Sequence, residues 1–282
     1  MQKNHIFVRT KLFTMLSEQK DINLCLGGGG ALGFAHIGVI QALEENGIFP
    51  TRISGSSMGA IIGVFYAAGF SPAEILDIIK KYQLYKITKI ITVYSKTGIK
   101  GLSNHDTLRK LIRAKIPHNS FEGLQKKLFI CASNLNTAKW EIIYSGDTLD
   151  KWVAASASIP VVFETININN QSYTDGGVLN NMPAQPFEAD FGCTIGVDVL
   201  NYLHLPEPQI NGIRETLLTS MRAVTHQNSE KGRSICSYLI EPKIIPTYRE
   251  FNFEKYYEIY QMGYEAGKEF IEREKGIKKL AI

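Results

Sequence analysis

Three short stretches of this chain hold residues whose types and spacing suit acyl transfer. Gly55-Ser56-Ser57-Met58-Gly59 has the GxSxG spacing of a sharp strand-to-helix turn that presents a serine hydroxyl as a nucleophile. At the start of a helix, Ser57 would have the Met58 N–H and the helix dipole beside a developing oxyanion. Gly55 and Gly59 keep side chains out of the neighbouring backbone. A plain small-residue turn would look the same. Gly27-Gly28-Gly29-Gly30-Ala31-Leu32-Gly33 contains GxGxxG at Gly28, Gly30 and Gly33. Consecutive unhindered N–H groups at a helix N-terminus attract negative charge, whether phosphate or oxyanion. A dinucleotide site would also need an acidic residue closing the second strand, where the chain has Ile53-Ser54-Gly55.

A serine hydroxyl needs a base to take its proton. The six histidines, His5, His36, His105, His118, His204 and His226, lie outside any loop motif of a catalytic triad, and each reads as a structural or surface residue. The third stretch, Asp175-Gly176-Gly177, offers a carboxylate at a strand end followed by two residues without side chains. Burial would raise its pKa from about 3.9 toward the working range of a general base. Two other readings stay open: an esterase or acyltransferase dependent on His204 or His226, and a non-catalytic phosphate- or nucleotide-binding module built on the glycine loop.

The elements that must position these residues follow from periodicity. Residues 21–26 read as a strand leading into the glycines, and 31–46 as a helix stopped at Gly47. Residues 51–54 form a second strand, and 58–69 a helix apolar on every face, hence buried. Ser71 N-caps the next helix, with Pro72 at its first position and Glu74 completing a capping box. Residues 82–102 are less regular. Strands at 128–133 and 140–144, a helix at 148–156 and a hairpin over 161–174 turning at Asn169-Asn170 follow. A strand at 193–199, a helix at 210–227, a strand at 235–240 and a helix at 253–273 close the chain. This alternation predicts an α/β fold with a mostly parallel sheet covered on both faces. Residues 1–20 lie outside the motif core, 21–205 form the catalytic core, and 206–282 form a helix-strand-helix part packed on the same domain, with Pro206 and Pro208 as a soft boundary.

Composition narrows the function. The 282 residues are 44% hydrophobic and 21% charged, enough apolar material for a packed core and too much for disorder. A net charge of +4 gives no sign of nucleic acid binding. Cys25, Cys131, Cys193 and Cys236 have no CxxC spacing and read as buried thiols in a reducing compartment. No metal or other cofactor is expected, and no signal for an oligomeric state is present. Residues 1–20 lack a signal-peptide core, and the nearly uncharged run 53–72 is broken by glycines and serines. The expectation is a cytoplasmic protein whose membrane contact, where it occurs, is peripheral. Residues 84–96 interleave lysines with Ile, Val and Tyr in a way that would suit an anionic interface or a solvated helix face.

GGGGALGFAHIGVI over residues 27–40, GSSMGA over 55–60, ASASIP over 155–160 and DGGVLNNMP over 175–183 resemble the patatin-like phospholipase family in order and spacing. The resemblance covers roughly residues 22–200. It implies a three-layer α/β/α lipid acyl hydrolase with a Ser–Asp dyad. Ser57 would be the nucleophile, Asp175 the proton acceptor, and Gly28, Gly29, Gly30 and Met58 the oxyanion donors, supported by Gly33, Gly55, Gly59, Gly176 and Gly177. The implied substrate is a phospholipid, lysophospholipid or related acyl ester. Many members carry a basic residue in the glycine loop where this chain has Leu32.

Overall fold

β1 (Ile22–Leu26) is buried along its whole length, the mark of a central strand covered on both faces. The computed structural model describes residues 21–82, 105–189, 192–200, 212–244, 248 and 251–280. The expectations for residues 1–20 and 84–96, for His5 and His204, and for the boundary at Pro206 and Pro208 lie outside the described residues.

After β1 come a 3-10 turn (Gly30–Phe34), α1 (Ala35–Glu45), β2 (Arg52–Gly55), α2 (Met58–Ala67) and α3 (Pro72–Lys81). Next are α4 (Asp106–Lys115), β3 (Lys127–Asn134), β4 (Lys139–Ile143), α5 (Leu149–Ser156), β5 (Ile166–Ile168) and β6 (Gln171–Asp175). Two 3-10 turns (Gly176–Val178 and Gln185–Phe187) lead to β7 (Cys193–Val197), α6 (Ile213–Ile235), β8 (Tyr238–Ile240) and α7 (Tyr256–Leu280).

The strand order is β5-β6-β3-β2-β1-β7-β8, with β4 also paired to β3. The five strands from β3 to β8 along this path are parallel, whereas β4, β5 and β6 join antiparallel. β3 organises the site. Ile130 pairs with Gly55 of β2 and with Ile143 of β4, so those strands occupy opposite edges of β3. β6 pairs with Ala132, Ser133 and Asn134, which β4 also faces, so β6 shares the β2 edge. β2 runs with β3 and β6 runs against it. Their C-terminal ends therefore point at each other across Cys131.

Alternation of side chains gives the sheet two buried faces, and a third small cluster of Ala132, Ala155, Ile168 and Tyr173 lies by β5 and β6. Leu24, Leu26, Leu128, Ile130, Tyr238 and Ile240 face a large core packed by α1, α2, α3 and α7. Cys25, Phe129 and Leu239 face a smaller one with Met182, Phe187 and Ile235 at the end of α6. The fold is therefore an α/β sandwich of helices on both faces of a mostly parallel sheet. α2 is buried at all ten positions, as its uniformly apolar sequence requires. α7 lies against α1 so closely that a Cβ on Gly38 would stand 2.1 Å from the Tyr260 carbonyl oxygen.

Ser71 caps α3 as its sequence indicates, with the full capping box and Pro72 in the first turn. The hairpin turns at Asn169 and Asn170, whose φ values of 52° and 60° suit the two-residue turn that follows strand twist. Several elements differ from expectation: the last helix runs to Leu280, beyond 273, and the strand expected from 235 starts at Tyr238. Residues 30–34 form a 3-10 turn before α1. α4 was not expected, although Leu108, Leu111 and Ile112 give it a buried stripe. α6 continues eight residues past 227, through polar sequence held by tertiary bonds, including ion pairs of Arg233 with Asp198 and Glu241.

Candidate active site

The meeting of β2 and β6 brings residues 57 and 175 together. β2 ends in Gly55, Ser56 donates its N–H to the Leu26 carbonyl, and α2 starts at Met58. Ser57 has φ 53° and ψ −123°, a conformation few non-glycine residues adopt. The turn can be this tight because the two chain segments nearly touch: a Cβ on Gly59 would lie 2.1 Å from the Leu26 carbonyl oxygen. Gly55 backs onto Gly59 in the same contact.

The Ser57 hydroxyl donates to Asp175 Oδ2 at 2.6 Å, and the Gly177 N–H donates to Asp175 Oδ1 at 2.8 Å. Both side chains are nearly enclosed, with relative exposures of 6% for Ser57 and 5% for Asp175. Burial pushes the Asp175 carboxyl up to about 7, against the opposing effect of these two hydrogen bonds. Gly176 lies over the Cys131 carbonyl and the Ser56 side chain, at the gap between the strand ends.

The glycine loop forms the next wall. Gly27 donates its N–H to Val197 of β7 at 3.1 Å, and its carbonyl accepts from His36 Nε2 at 2.7 Å. Gly28 passes so close to Ser57 that a Cβ on it would stand 3.0 Å from the serine Cβ. Its N–H points to Asn181, whose Oδ1 accepts at 3.0 Å and whose carbonyl lies at 3.3 Å. Gly28 is expected from the sequence to be an oxyanion donor, but in the structure its N–H is donated to Asn181. Among the described residues, the N–H groups of Gly29, Gly30 and Met58 make no hydrogen bond. Gly30, with φ 54°, turns the loop into its 3-10 segment. Gly33 packs on the Met58 side chain, tying the loop to α2. Leu32 is buried, so this loop position contributes packing and no charge.

The end of α5 and the residues just after it, one of the stretches that carry the family resemblance, also touch the site. Ser156 Oγ accepts from the Ser57 N–H at 3.0 Å, and the Ser158 carbonyl accepts from the Asp175 N–H at 3.0 Å. Their spacing in ASASIP was the available signal. The histidines stand elsewhere. Burial lowers His36 to about 4, and its Nε2–H is used on Gly27. His105 stacks on Phe163 at 4.2 Å and is lowered to about 4, chiefly by burial. The His118 ring nitrogen accepts from the Ser120 N–H, and His226 lies on α6.

A mostly parallel α/β sheet thus carries a strained serine turn, a glycine loop at one strand end and a carboxylate at another. The family model described as patatin-like phospholipase matches residues 24–188, and the chain belongs to that family of lipid acyl hydrolases. It is 32% identical over 202 residues to an uncharacterized protein of Acanthamoeba polyphaga mimivirus, covering 66% of this chain and 68% of the relative. It is also 27% identical over 285 residues to the lysophospholipase NTE1 of Coccidioides immitis, covering 90% of this chain and 18% of that protein. The chain thus spans less than a fifth of the length of that lysophospholipase. VipD from Legionella pneumophila is similar in fold, with a TM-score of 0.54 at 14% identity, covering 90% of this chain and 67% of VipD.

Proposed function

We propose that the chain is a serine lipid acyl hydrolase in which Ser57 attacks the ester carbonyl and Asp175 accepts the hydroxyl proton. The observation that carries this reading is the 2.6 Å bond from Ser57 Oγ to Asp175 Oδ2 at a strained turn. The N–H groups of Gly29, Gly30 and Met58 serve the oxyanion, with the α2 dipole adding to the field. Collapse of the tetrahedral intermediate breaks the ester C–O bond, and the leaving alcohol takes its proton from Asp175. Water then attacks the acyl-serine and gives a proton to the same carboxylate, the bond from the acyl carbon to Ser57 Oγ breaks, and Oγ takes that proton back from Asp175 as the fatty acid leaves. A base titrating near 7 is half ionised at neutral pH, where proton transfer in both directions is efficient.

A lipid ester as substrate is supported by family membership and by an apolar stripe on α6. Ile213, Leu217 and Val224 recur on one side of that helix with relative exposures of 83%, 44% and 52%. The same helix reaches the site through Thr225 and Asn228. Among the described residues no helix is long and apolar enough to cross a membrane, and a peripheral contact through this stripe is part of the proposal.

The test is a panel of short-chain esters, lysophospholipids and phospholipids offered to the protein and to Ser57→Ala, with fluorophosphonate labelling mapped by mass spectrometry. Labelling at Ser57 and loss of hydrolysis in the variant are expected. Equal hydrolysis by both proteins would end the proposal. Nucleotide binding by a folded, unlabelled protein would favour the binding-module reading.

A further inference from the structure

Asn181 stands at the crossing of the two halves of the site, and its hydrogen bonds go to both. It is fully buried, and Gly28 donates its N–H to Asn181 Oδ1 at 3.0 Å. Asn181 Nδ2 lies 3.4 Å from the Gly28 carbonyl and 3.3 Å from Ser229 Oγ of α6. The Asn181 N–H donates to Asn228 Oδ1 at 2.8 Å, again on α6. Asn228 Nδ2 in turn donates to the carbonyls of Gly177 and Val178, both at 3.0 Å. Thr225 Oγ1 donates to the same Gly177 carbonyl at 3.2 Å.

These bonds form a closed chain of contacts. The glycine loop is held by Asn181, Asn181 by Asn228 and Ser229, and Asn228 holds the turn whose Gly177 N–H grips Asp175. A primary amide suits this place because it accepts and donates at once, so it can fix both the N–H and the carbonyl of one residue, Gly28, and with them two successive peptide groups. A buried polar network of this kind is stable only when each member is satisfied. Helix α6 supplies the rigid anchor. The other acceptor of the Gly28 N–H among the described residues is the main-chain carbonyl of Asn181 itself at 3.3 Å, so the side chain supplies the shorter of the two bonds.

We infer that Asn181, braced by Asn228 of α6, is a positioning residue that holds the oxyanion-binding glycine loop in register with Ser57 and Asp175. The inference rests on the dyad reading above. The Asn181 side chain is buried behind the loop and spends its bonds on Gly28 and Ser229. Asn181 commits the Gly28 N–H and thereby orients the next two, those of Gly29 and Gly30, toward the space beside Ser57 Oγ. Losing the Asn181 amide lets the loop relax while leaving the Ser57–Asp175 bond and the Asn228 contacts to the Asp175 turn in place. The effect therefore falls on transition-state stabilisation, and misplacement by about 1 Å can cost on the order of 100-fold in rate.

The experiment uses the full chain, 4-nitrophenyl butyrate as a soluble ester, and a fluorophosphonate to count reactive Ser57 so that kcat is expressed per competent site. In Asn181→Ala, per-site kcat should fall about 10- to 100-fold with KM within about twofold. Affinity for a trifluoromethyl ketone, which forms a tetrahedral oxyanion on serine, should fall with it, while affinity for the matching ether analogue stays level. Asn228→Ala, at a partly exposed helix position, should show the same split more weakly, and it carries the test if Asn181→Ala does not fold. A lowered melting temperature with unchanged per-site kcat and unchanged ketone affinity would overturn the inference and leave the dyad untouched. Hydrolysis surviving in Ser57→Ala would remove the dyad reading, and the inference with it.

Discussion

Ser57 and Asp175 lie 118 positions apart, and their side chains meet at 2.6 Å because β2 and β6 end head to head on one edge of β3. Burial lifts the Asp175 carboxyl to about 7. As a base it acts only when ionised, so kcat/KM on a soluble ester should rise about tenfold per pH unit below 7 and level off above it. Asp175→Asn should lower the plateau by about 10²- to 10⁴-fold and abolish that limb. A pH-rate series on both proteins checks this, and an unchanged limb in the variant would assign the titration to another group.

The same shift has a consequence for stability with the opposite slope. The folded state keeps the Asp175 proton up to about 7, whereas the unfolded chain releases it near the ordinary value of 3.8. Between those values the native state binds more protons, so this group's contribution is full below about pH 4 and is lost as pH rises through 7. Roughly three pH units at about 1.4 kcal/mol each set a ceiling of about 4 kcal/mol. Asp175→Asn should therefore be more stable than the parent at pH 8, with the gap narrowing as pH falls and closing near pH 4. Urea titrations at the two pH values measure it.

Gly59 and Gly63 both lie in buried α2, yet alanine should act differently at each. At Gly59 the added methyl would meet the Leu26 carbonyl oxygen at 2.1 Å and the Gly27 carbonyl oxygen at 2.8 Å, both backbone atoms that cannot yield without moving β1. At Gly63 the nearest atom is an Ile53 methyl at 3.2 Å, which can shift. Gly59→Ala should cost about 3 kcal/mol or more, or prevent folding, and Gly63→Ala should stay within about 1 kcal/mol because alanine is the better helix former. Thermal melts of the two variants decide it.

His36 separates a structural from a catalytic imidazole. Its Nε2–H holds the Gly27 carbonyl, and burial keeps it neutral down to about pH 4. Glutamine can place an amide N–H near the same oxygen. His36→Gln should thus retain the pH limb near 7 and most of kcat, whereas a limb that vanishes with this histidine would favour a histidine-dependent mechanism.

Local chemistry was legible where it is written in adjacent residues. Gly55 to Gly59 announces a tight turn, Ser71-Pro72 with Glu74 announces a capped helix, and Asn169-Asn170 announces a hairpin. The α4 stripe of Leu108, Leu111 and Ile112 is equally local, written in the spacing of a single helix. The joining of β2 and β6 on one edge of β3 was not legible, because register depends on pairing across more than a hundred residues. For the same reason Asn181 drew no attention within DGGVLNNMP. Its partners, Gly28 and Asn228, are remote in sequence, and only the fold turns its amide into a brace.

The apolar stripe on α6 bears on where the substrate comes from. Ile213, Leu217 and Val224 are exposed on one side of a helix whose next turn touches the Asp175 loop. Seating such side chains in a lipid interface returns about 1.5–3 kcal/mol for each large aliphatic group removed from water. Placing a charge at Ile213 or Leu217 should therefore weaken attachment to vesicles without reaching the site. For Ile213→Asp with Leu217→Asp, hydrolysis of phospholipid vesicles should drop at least tenfold, with hydrolysis of 4-nitrophenyl butyrate unchanged. Sedimentation with vesicles separates binding from turnover. Equal loss on both substrates would mean the helix matters for folding, and equal retention on both would move the lipid contact to another face.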